Sequence, residues 1–519
     1  MARICVHFPE LNRTVEADPG DNLLVVMREN GISMHADCGG VGSCGHCVVN
    51  VDEKRRLACL TYILHDVQVT IPSTSSLCTT KNYAILRDSV AFELSPEPSD
   101  TALEKRLNHQ TTATCKSSSY GIAIDLGTTT LVGKLVNLNT GQEIGSFAAL
   151  NSQRVYGLDV VSRINAAFDD ASVLSDLITT QIDTLVFSML REYGIDRKQI
   201  EALVIAGNTT MSYLLLGLSC RSLGVAPFTP QFTFKTVYCW EEIFQTHTLS
   251  CDCFVFPFIS AFVGGDSVAG LSLLSSKDNF MLMDMGTNGE ILFRRGDRLL
   301  CTATAAGPAF EGGCIECGSG SVNGAISSVR FLDGEFQVKT IGAAPAIGAA
   351  PAIGMAPATS ICGSGILDLM AILTREGFVD ITGRITQRIT GGRIHLTPDE
   401  SPYFTQKDVR QFQLAKSAVR SGVEILLKEM GGDLPDHVYL SGGFGQSLNP
   451  ESAIATGLLP EAFAGRIHAI GNSSLGGAVK VCLIESLRNE LADLTHGSHE
   501  INLASHPLFD NLFIKHMSF

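Results

Sequence analysis

The chain has 519 residues, 45% hydrophobic and 18% charged, enough apolar material for roughly three or four domain-sized units. Its formal charge of −15 argues against a general nucleic-acid binder, which would carry a basic face, and against docking on anionic lipid. Sixteen cysteines in a chain this long do not describe a small disulfide-stapled secreted scaffold, and Met1-Ala2-Arg3-Ile4-Cys5 shows no secretory signal, so reduced thiols in a cytoplasmic setting are expected.

Residues 1–73 read as a compact β-rich module. Ile4–Phe8 and Thr14–Ala17 predict a hairpin, and Asn22–Asn30 a short helix that Asp21 or Asn22 can cap and Gly31 can close. Four cysteines then stand out, Cys38, Cys44, Cys47 and Cys59, in the spacing C-x5-C-x2-C-x11-C. A tight three-cysteine loop with a later fourth thiolate can wrap a small inorganic cluster, and plant-type [2Fe–2S] sites use a closely similar arrangement. Gly39, Gly40, Gly42 and Gly45 let the loop turn sharply and aim amide N–H groups at cluster sulfurs. His46 lies inside the loop and is read as a solvated residue, since four thiolates already suffice. Val48–Val51 and Val67–Ile71 are strands by β-branched content. This order of elements is that of a β-grasp ferredoxin.

Residues 74–118 shift to Ser, Thr, Pro and mixed charge and read as a linker, with one short helix around Ala102–Asn108. Beyond it, strand and helix signals alternate to the end, which predicts an α/β architecture. The longest uncharged stretch, Ala202–Cys220, is interrupted by Gly207-Asn208-Thr209-Thr210 and is not read as a membrane span. Residues 343–358 repeat Ala-Ala-Pro-Ala-Ile-Gly. Pro345, Pro351 and Pro357 block helix and central strand there, so an extended surface loop is expected.

An internal repeat gives this second region its chemistry. Tyr120–Thr130 and Phe280–Glu290 are both apolar strands ending in Asp-apolar-Gly-Thr: Asp125-Leu126-Gly127-Thr128 and Asp284-Met285-Gly286-Thr287. Leu203–Asn208 and Val438–Gly443 form a second pair in the same order. Turns of Gly and Thr present amides and hydroxyls to phosphate oxygens. An Asp at the strand end can hold a hydrated Mg²⁺ or orient an attacking water. Two such turns facing each other would clamp a nucleotide's phosphates, and Gly442-Gly443 would let the backbone approach a flat base. A P-loop is excluded, because Gly133-Lys134 has the wrong spacing and Leu135 replaces the required Ser/Thr. Asp125 and Gly207 are 82 positions apart, Asp284 and Gly442 158, so the second lobe should hold an insertion, expected over Arg294–Gln411.

Other features read more plainly. Cys314-x2-Cys317 lacks a second pair at zinc spacing, and Cys251-x-Cys253 reads as structural. Cys362 beside Gly363-Ser364-Gly365 is read as packing. Glu311 and Asp266 lie in Gly-rich turns, and both a role near the γ-phosphate or Mg²⁺ and simple turn capping stay open. Lys416–Met430 has helical apolar spacing and predicts a packing helix.

These residues resemble a known family, the reductive activators of corrinoid proteins, in which a [2Fe–2S] domain precedes an ATPase of the acetate-kinase, sugar-kinase and actin superfamily. The likeness spans nearly the whole chain. It is carried by Arg56–Cys59, Ile124–Thr130, Gly207–Met211, Ala226–Phe228, Val263–Asp266, Asp284–Glu290, Ala306–Gly312, Ile361–Gly365, Gly442–Gly445 and Gly471-Asn472. The resemblance implies an α/β chain with an α+β N-terminal module. A β-grasp ferredoxin domain (1–73) and linker (74–118) would precede a duplicated, two-lobed RNase H-like (actin-like) ATPase, with lobe I at 119–262 and lobe II, with its insertion and C-terminal segment, at 263–519.

It further implies ATP-dependent reduction of a Co(II) corrinoid protein of a methyltransferase system to Co(I), with [2Fe–2S], ATP and Mg²⁺ as cofactors. Cys38, Cys44, Cys47 and Cys59 would hold the cluster. Asp125, Asp284 and Glu311 would be catalytic, and Gly127, Thr128, Thr129, Gly286, Thr287, Asn288, Gly442 and Gly443 would bind the nucleotide. An upstream electron donor is required, a homodimer is compatible, and neither nucleic acid nor membrane is expected as partner. The chain departs from the family in its short Cys47-to-Cys59 span and in a linker too short for the extra middle domain of some relatives. Two rival readings are a small-molecule kinase with an appended redox domain and a nucleotide-switched scaffold. The cysteine module counts against both.

Overall fold

The computed structural model describes residues 3–11, 13–32, 48–52, 54–63, 65–71, 118–231, 235–274, 279–286, 288–342, 357–399 and 401–519. The expectations for the loop holding Cys38, Cys44 and Cys47, the linker and its helix, Thr287, and the proline repeat over 343–356 lie outside the described residues. The rest divides into two compact units. One runs to Asp266 and includes Ala478–Glu485; the other comprises Ser267–Gly477 and Ser486–Phe519.

The first unit begins with a five-stranded sheet in the order β2-β1-β5-β3-β4. β1 (Ile4–Phe8) pairs antiparallel with β2 (Arg13–Ala17) and parallel with β5 (Val67–Thr70). β1 alternates buried and exposed residues, so Ile4, Val6 and Phe8 face a core shared with Leu23, Met27, Val49 and Val69. The helix Leu23–Glu29 starts where Asn22 accepts hydrogen bonds from Leu24 N (3.1 Å) and Val25 N (3.4 Å), and Gly31 follows it at φ +66°. One strand escapes a sequence reading. β4 (Lys54–Leu57) contains Lys54, Arg55 and Arg56, with no β-branched residue, and forms because the turn at Asp52 folds it back on β3 (Val48–Val51).

The remainder of this unit is a six-stranded sheet, β10-β11-β9-β6-β7-β8. Its strands are β6 (Tyr120–Leu126), β7 (Thr130–Asn137), β8 (Glu143–Leu150), β9 (Ile200–Gly207), β10 (Val237–Cys239) and β11 (Asp252–Val255). The second unit repeats the plan as β21-β20-β12-β13-β14-β22. Here the strands are β12 (Asn279–Met285), β13 (Gly289–Arg295), β14 (Arg298–Thr304), β20 (His437–Ser441), β21 (Ile467–Gly471) and β22 (His499–Glu500). In both sheets the first strand pairs antiparallel with the next and parallel with a distant one: Asp125 faces Val132 and Ala206, and Asp284 faces Glu290 and Ser441. Burial repeats too. Four buried residues precede each half-buried Asp, and a buried Leu126 or Met285 follows it.

The insertion is narrower than Arg294–Gln411. β14 belongs to the repeated sheet, so the extra material lies between Thr304 and the helix Gln406–Glu429. It contains a three-stranded sheet of β15 (Ala325–Leu332), β16 (Glu335–Thr340) and β17 (Ser360–Ile361). The helix Gly363–Arg375 and a pairing of β18 (Arg393–His395) with β19 (Tyr403–Thr405) complete it. Ala202–Cys220 is built into β9 and the buried helix Thr209–Leu215. Among the described residues one helix, Ser172–Tyr193, is long and apolar enough to cross a membrane by length and composition. Its apolar stripe, Leu174, Ile178, Ile182, Val186 and Met189, packs into the core of the first unit.

Candidate functional site

In the first unit the turn after β6 is latched from three directions. Asn151 Nδ2 donates to Gly127 O (2.9 Å), and Asn151 N donates to Thr129 O (2.9 Å). The Arg163 guanidinium donates through Nη2 to Thr128 O. Asn208, which caps the helix Thr209–Leu215, donates to Thr128 Oγ1 (3.0 Å). The carbonyls of Gly127 and Thr128 are thus held by the protein. In a trans peptide, C=O and N–H point in opposite directions. The N–H groups of Thr128 and Thr129 therefore point away from Asn151 and Arg163, and neither donates to a described residue. Two free, adjacent amides at the end of a strand carrying Asp125 form the cradle a phosphate requires.

Arg163 is wholly buried. Its other contacts are Nε to Gly157 O (3.0 Å) and Nη1 to Gln153 Oε1 (3.3 Å) and Met211 Sδ (3.2 Å). Burial pushes its pKa down to about 10. The Val263-Gly264-Gly265 segment packs on the same corner: a Cβ on Gly264 would lie 2.5 Å from Asn208 Cα.

In the second unit the turn after β12 is closed by Gly286 N donating to Asn288 O (3.1 Å). A Cβ on Gly286 would lie 3.9 Å from Glu311 Oε1, so the structure brings Glu311 beside this turn. Glu311 ends the short turn Pro308–Glu311, where Phe310 stacks on Phe444 at 4.9 Å. That contact ties the Glu311 turn to the helix Gly442–Ser447. Gly442 has φ +85°, and a Cβ there would come within 2.7 Å of Asp284 Oδ1. Gly443 faces open space, with nothing within 4 Å of a would-be Cβ. The Ser441 hydroxyl is buried with no hydrogen-bond partner among the described residues. Asp284, Gly286, Asn288, Glu311, Gly442 and Gly443 thus adjoin one another in a glycine-rich corner with two carboxylates, a set that could hold a nucleotide with Mg²⁺.

Cys59 sits in the turn Ala58–Leu60 after β4 and is 5% exposed. Its carbonyl accepts from Asn22 Nδ2 (2.9 Å), which locks the cysteine to the helix cap. A buried thiol outside any disulfide, in a backbone-anchored turn, fits a cluster ligand. Cys251, Cys253 and Cys362 are buried, and Cys253 donates to Cys251 O (3.9 Å); a side-chain hydrogen bond with Cys251 and burial raise its thiol pKa. Asp266 lies in the first turn of the helix Gly265–Leu273, and the segment from Lys416 belongs to the longer helix Gln406–Glu429, with Met430 as its C-cap.

Sequence reasoning missed Asn151 and Arg163. The available signal was an arginine inside the apolar run Val160-Val161-Ser162-Arg163-Ile164, a place where a charge needs a reason.

Residues 7–64 match the 2Fe-2S iron-sulfur cluster binding domain, 120–277 the RACo middle region, and 278–519 the C-terminal domain of RACo, the ASKHA domain. The chain is 27% identical to a corrinoid activation enzyme, RamQ, of Eubacterium limosum, over 99% of both proteins. It is 26% identical to a [Co(II) methylated amine-specific corrinoid protein] reductase of Methanosarcina barkeri, over 77% of each. A solved reductive activator for a corrinoid, iron-sulfur protein superposes with a TM-score of 0.65 at 26% identity, covering 99% of this chain and 98% of that one. A ferredoxin-type domain in front of a duplicated ATPase, matched along its length, places the chain in the RACo family of reductive activators of corrinoid proteins.

Proposed function

We propose that this protein uses ATP to drive single electrons from its N-terminal cluster onto an inactive Co(II) corrinoid protein, returning it to Co(I). The observation that carries the reading is one chain holding both a cluster-binding domain and two Asp-apolar-Gly-Thr phosphate cradles. When bound, the cluster supplies one electron at about −400 mV. Co(I) corrinoids are stronger reductants still, and each ~59 mV uphill costs about tenfold in a one-electron equilibrium. ATP binding and hydrolysis therefore do conformational work.

In this reading Cys38, Cys44, Cys47 and Cys59 are the thiolate ligands, and residues 1–73 are the redox module ahead of lobes at 119–262 and 263–519. Thr128 and Thr129 offer amides to phosphate oxygens. Asp125 and Asp284 hold hydrated Mg²⁺ or orient the attacking water, and Glu311 assists beside Gly286, Thr287 and Asn288. Gly442 and Gly443 lie against adenosine. An external donor recharges the cluster.

The test is to mix reduced protein, ATP and a Co(II) corrinoid protein and to follow Co(I) absorbance. ATP-dependent Co(I) is expected. Its absence, with phosphate passed to a small metabolite instead, would establish the kinase reading.

A further inference from the structure

The first phosphate cradle has a charge behind it. Arg163 is 0% exposed and spends its donors on neutral partners only: two carbonyls, the Gln153 amide oxygen and the Met211 sulfur. It makes no ion pair among the described residues. Asp159, whose charge acts on it through space, spends its carboxylate on Ser162 N (2.7 Å) and Ser162 Oγ (2.9 Å). A buried cation ordinarily carries a counter-charge, because leaving it alone costs several kcal/mol. Here the guanidinium is solvated by dipoles, with Asp159 and Arg154 acting on it only through space, and it lies within one peptide unit of two free amides.

That peptide unit matters. The carbonyl Arg163 grips and the N–H of Thr129 belong to the same amide. A cation on the oxygen draws electron density through the conjugated C–N bond and strengthens the N–H as a donor. Asn151 does the same, more weakly, to the amide carrying the Thr128 N–H.

We infer that Arg163 is a positioning residue for the nucleotide: its counter-charge is the bound polyphosphate, and it acts through the Thr128–Thr129 peptide without touching the ligand. The inference rests on the ATP reading above. It makes phosphate affinity, rather than affinity for base or ribose, depend on a buried arginine 35 residues away from Thr128.

The test is calorimetric binding of ATP, ADP and adenosine to the full-length, cluster-loaded protein. Arg163→Met should lose at least tenfold in ATP affinity while adenosine binding changes less than twofold, and Arg163→Lys, which keeps the charge, should recover most of the loss. Because removing a buried arginine can unfold the unit, a second variant leaves it in place. Gln153→Glu sets a carboxylate against Nη1 and neutralises the charge locally. It should weaken ATP binding at least tenfold, again sparing adenosine. Unchanged ATP affinity in folded Arg163→Met or in Gln153→Glu overturns the inference, as does an equal loss for ATP and adenosine. Wild-type protein that binds no ATP overturns the nucleotide reading itself.

Discussion

Gly442 and Gly443 are neighbours with opposite requirements. Gly442 needs φ +85° and has Asp284 Oδ1 2.7 Å from where a Cβ would sit. Alanine there costs about 1–2 kcal/mol for the left-handed backbone and pushes the carboxylate aside. Gly442→Ala should therefore lower the melting temperature and cut ATP hydrolysis at least tenfold. Gly443 has a backbone in the ordinary helical range and empty space beyond it. Gly443→Ala should leave the melting temperature unchanged or slightly raised, yet weaken ATP binding several-fold if adenosine occupies that space; unaltered affinity would remove Gly443 from the nucleotide site. Both glycines, with Asp125, Asp284 and the two Gly-Thr turns, were legible because each sits in a short contiguous motif. Arg163 was less so: its place in an apolar run marks it, but only the fold shows what it grips.

At the scale of elements, the cap of the helix Leu23–Glu29 serves two purposes. Asn22 accepts from the helix start and donates to Cys59 O. Asn22→Ala should cost about 1 kcal/mol and speed the loss of visible cluster absorbance on warming; a bleaching rate equal to wild type would separate the cap from the cluster. The long helix Gln406–Glu429 shows why element ends are hard to read. Its start is set by a capping box between Thr405 and Asp408, but Asp408, Gln413 and Lys416 are buried polar residues that break the apolar pattern. Their partners are Glu316 N, Thr382 O and Ser518 O, all distant in sequence. The insertion followed the same logic: the repeat's offsets revealed it, but only strand pairing showed that Arg298–Thr304 belongs to the sheet.

For the molecule as a whole, two outcomes are expected. Cys59→Ala should abolish the cluster's visible absorbance and Co(I) formation while ATP binding persists, since the cysteine lies in the turn after β4, whereas the two proposed phosphate turns follow β6 and β12 in other sheets. Coupled loss of ATP binding would instead mean that the cluster module supports the ATPase fold. The second outcome concerns pH. Burial, with Arg420 nearby, lowers the Lys416 pKa from 10.5 to about 8. Between those values the unfolded chain binds the proton and the folded chain does not, so this contribution to stability rises with pH; below pH 8 both states are charged and it is flat. Denaturation midpoints of wild type should thus gain on those of Lys416→Met from pH 8 to about pH 10. A constant gap would contradict the shift.

Chemistry written in local spacing was available from the chain alone: four cysteines at cluster spacing, two Asp-apolar-Gly-Thr turns, and the strand pairs that mark a duplication. Such motifs work through backbone a few residues long, so order along the chain is nearly order in space. The tertiary structure decided what surrounds them. Glu311 beside Gly286, Gly442 against Asp284, and Asn151, Arg163 and Asn208 converging on one turn are contacts across 24 to 158 residues. No periodicity encodes them, because they arise only once the sheets have formed and unpaired buried groups have found partners.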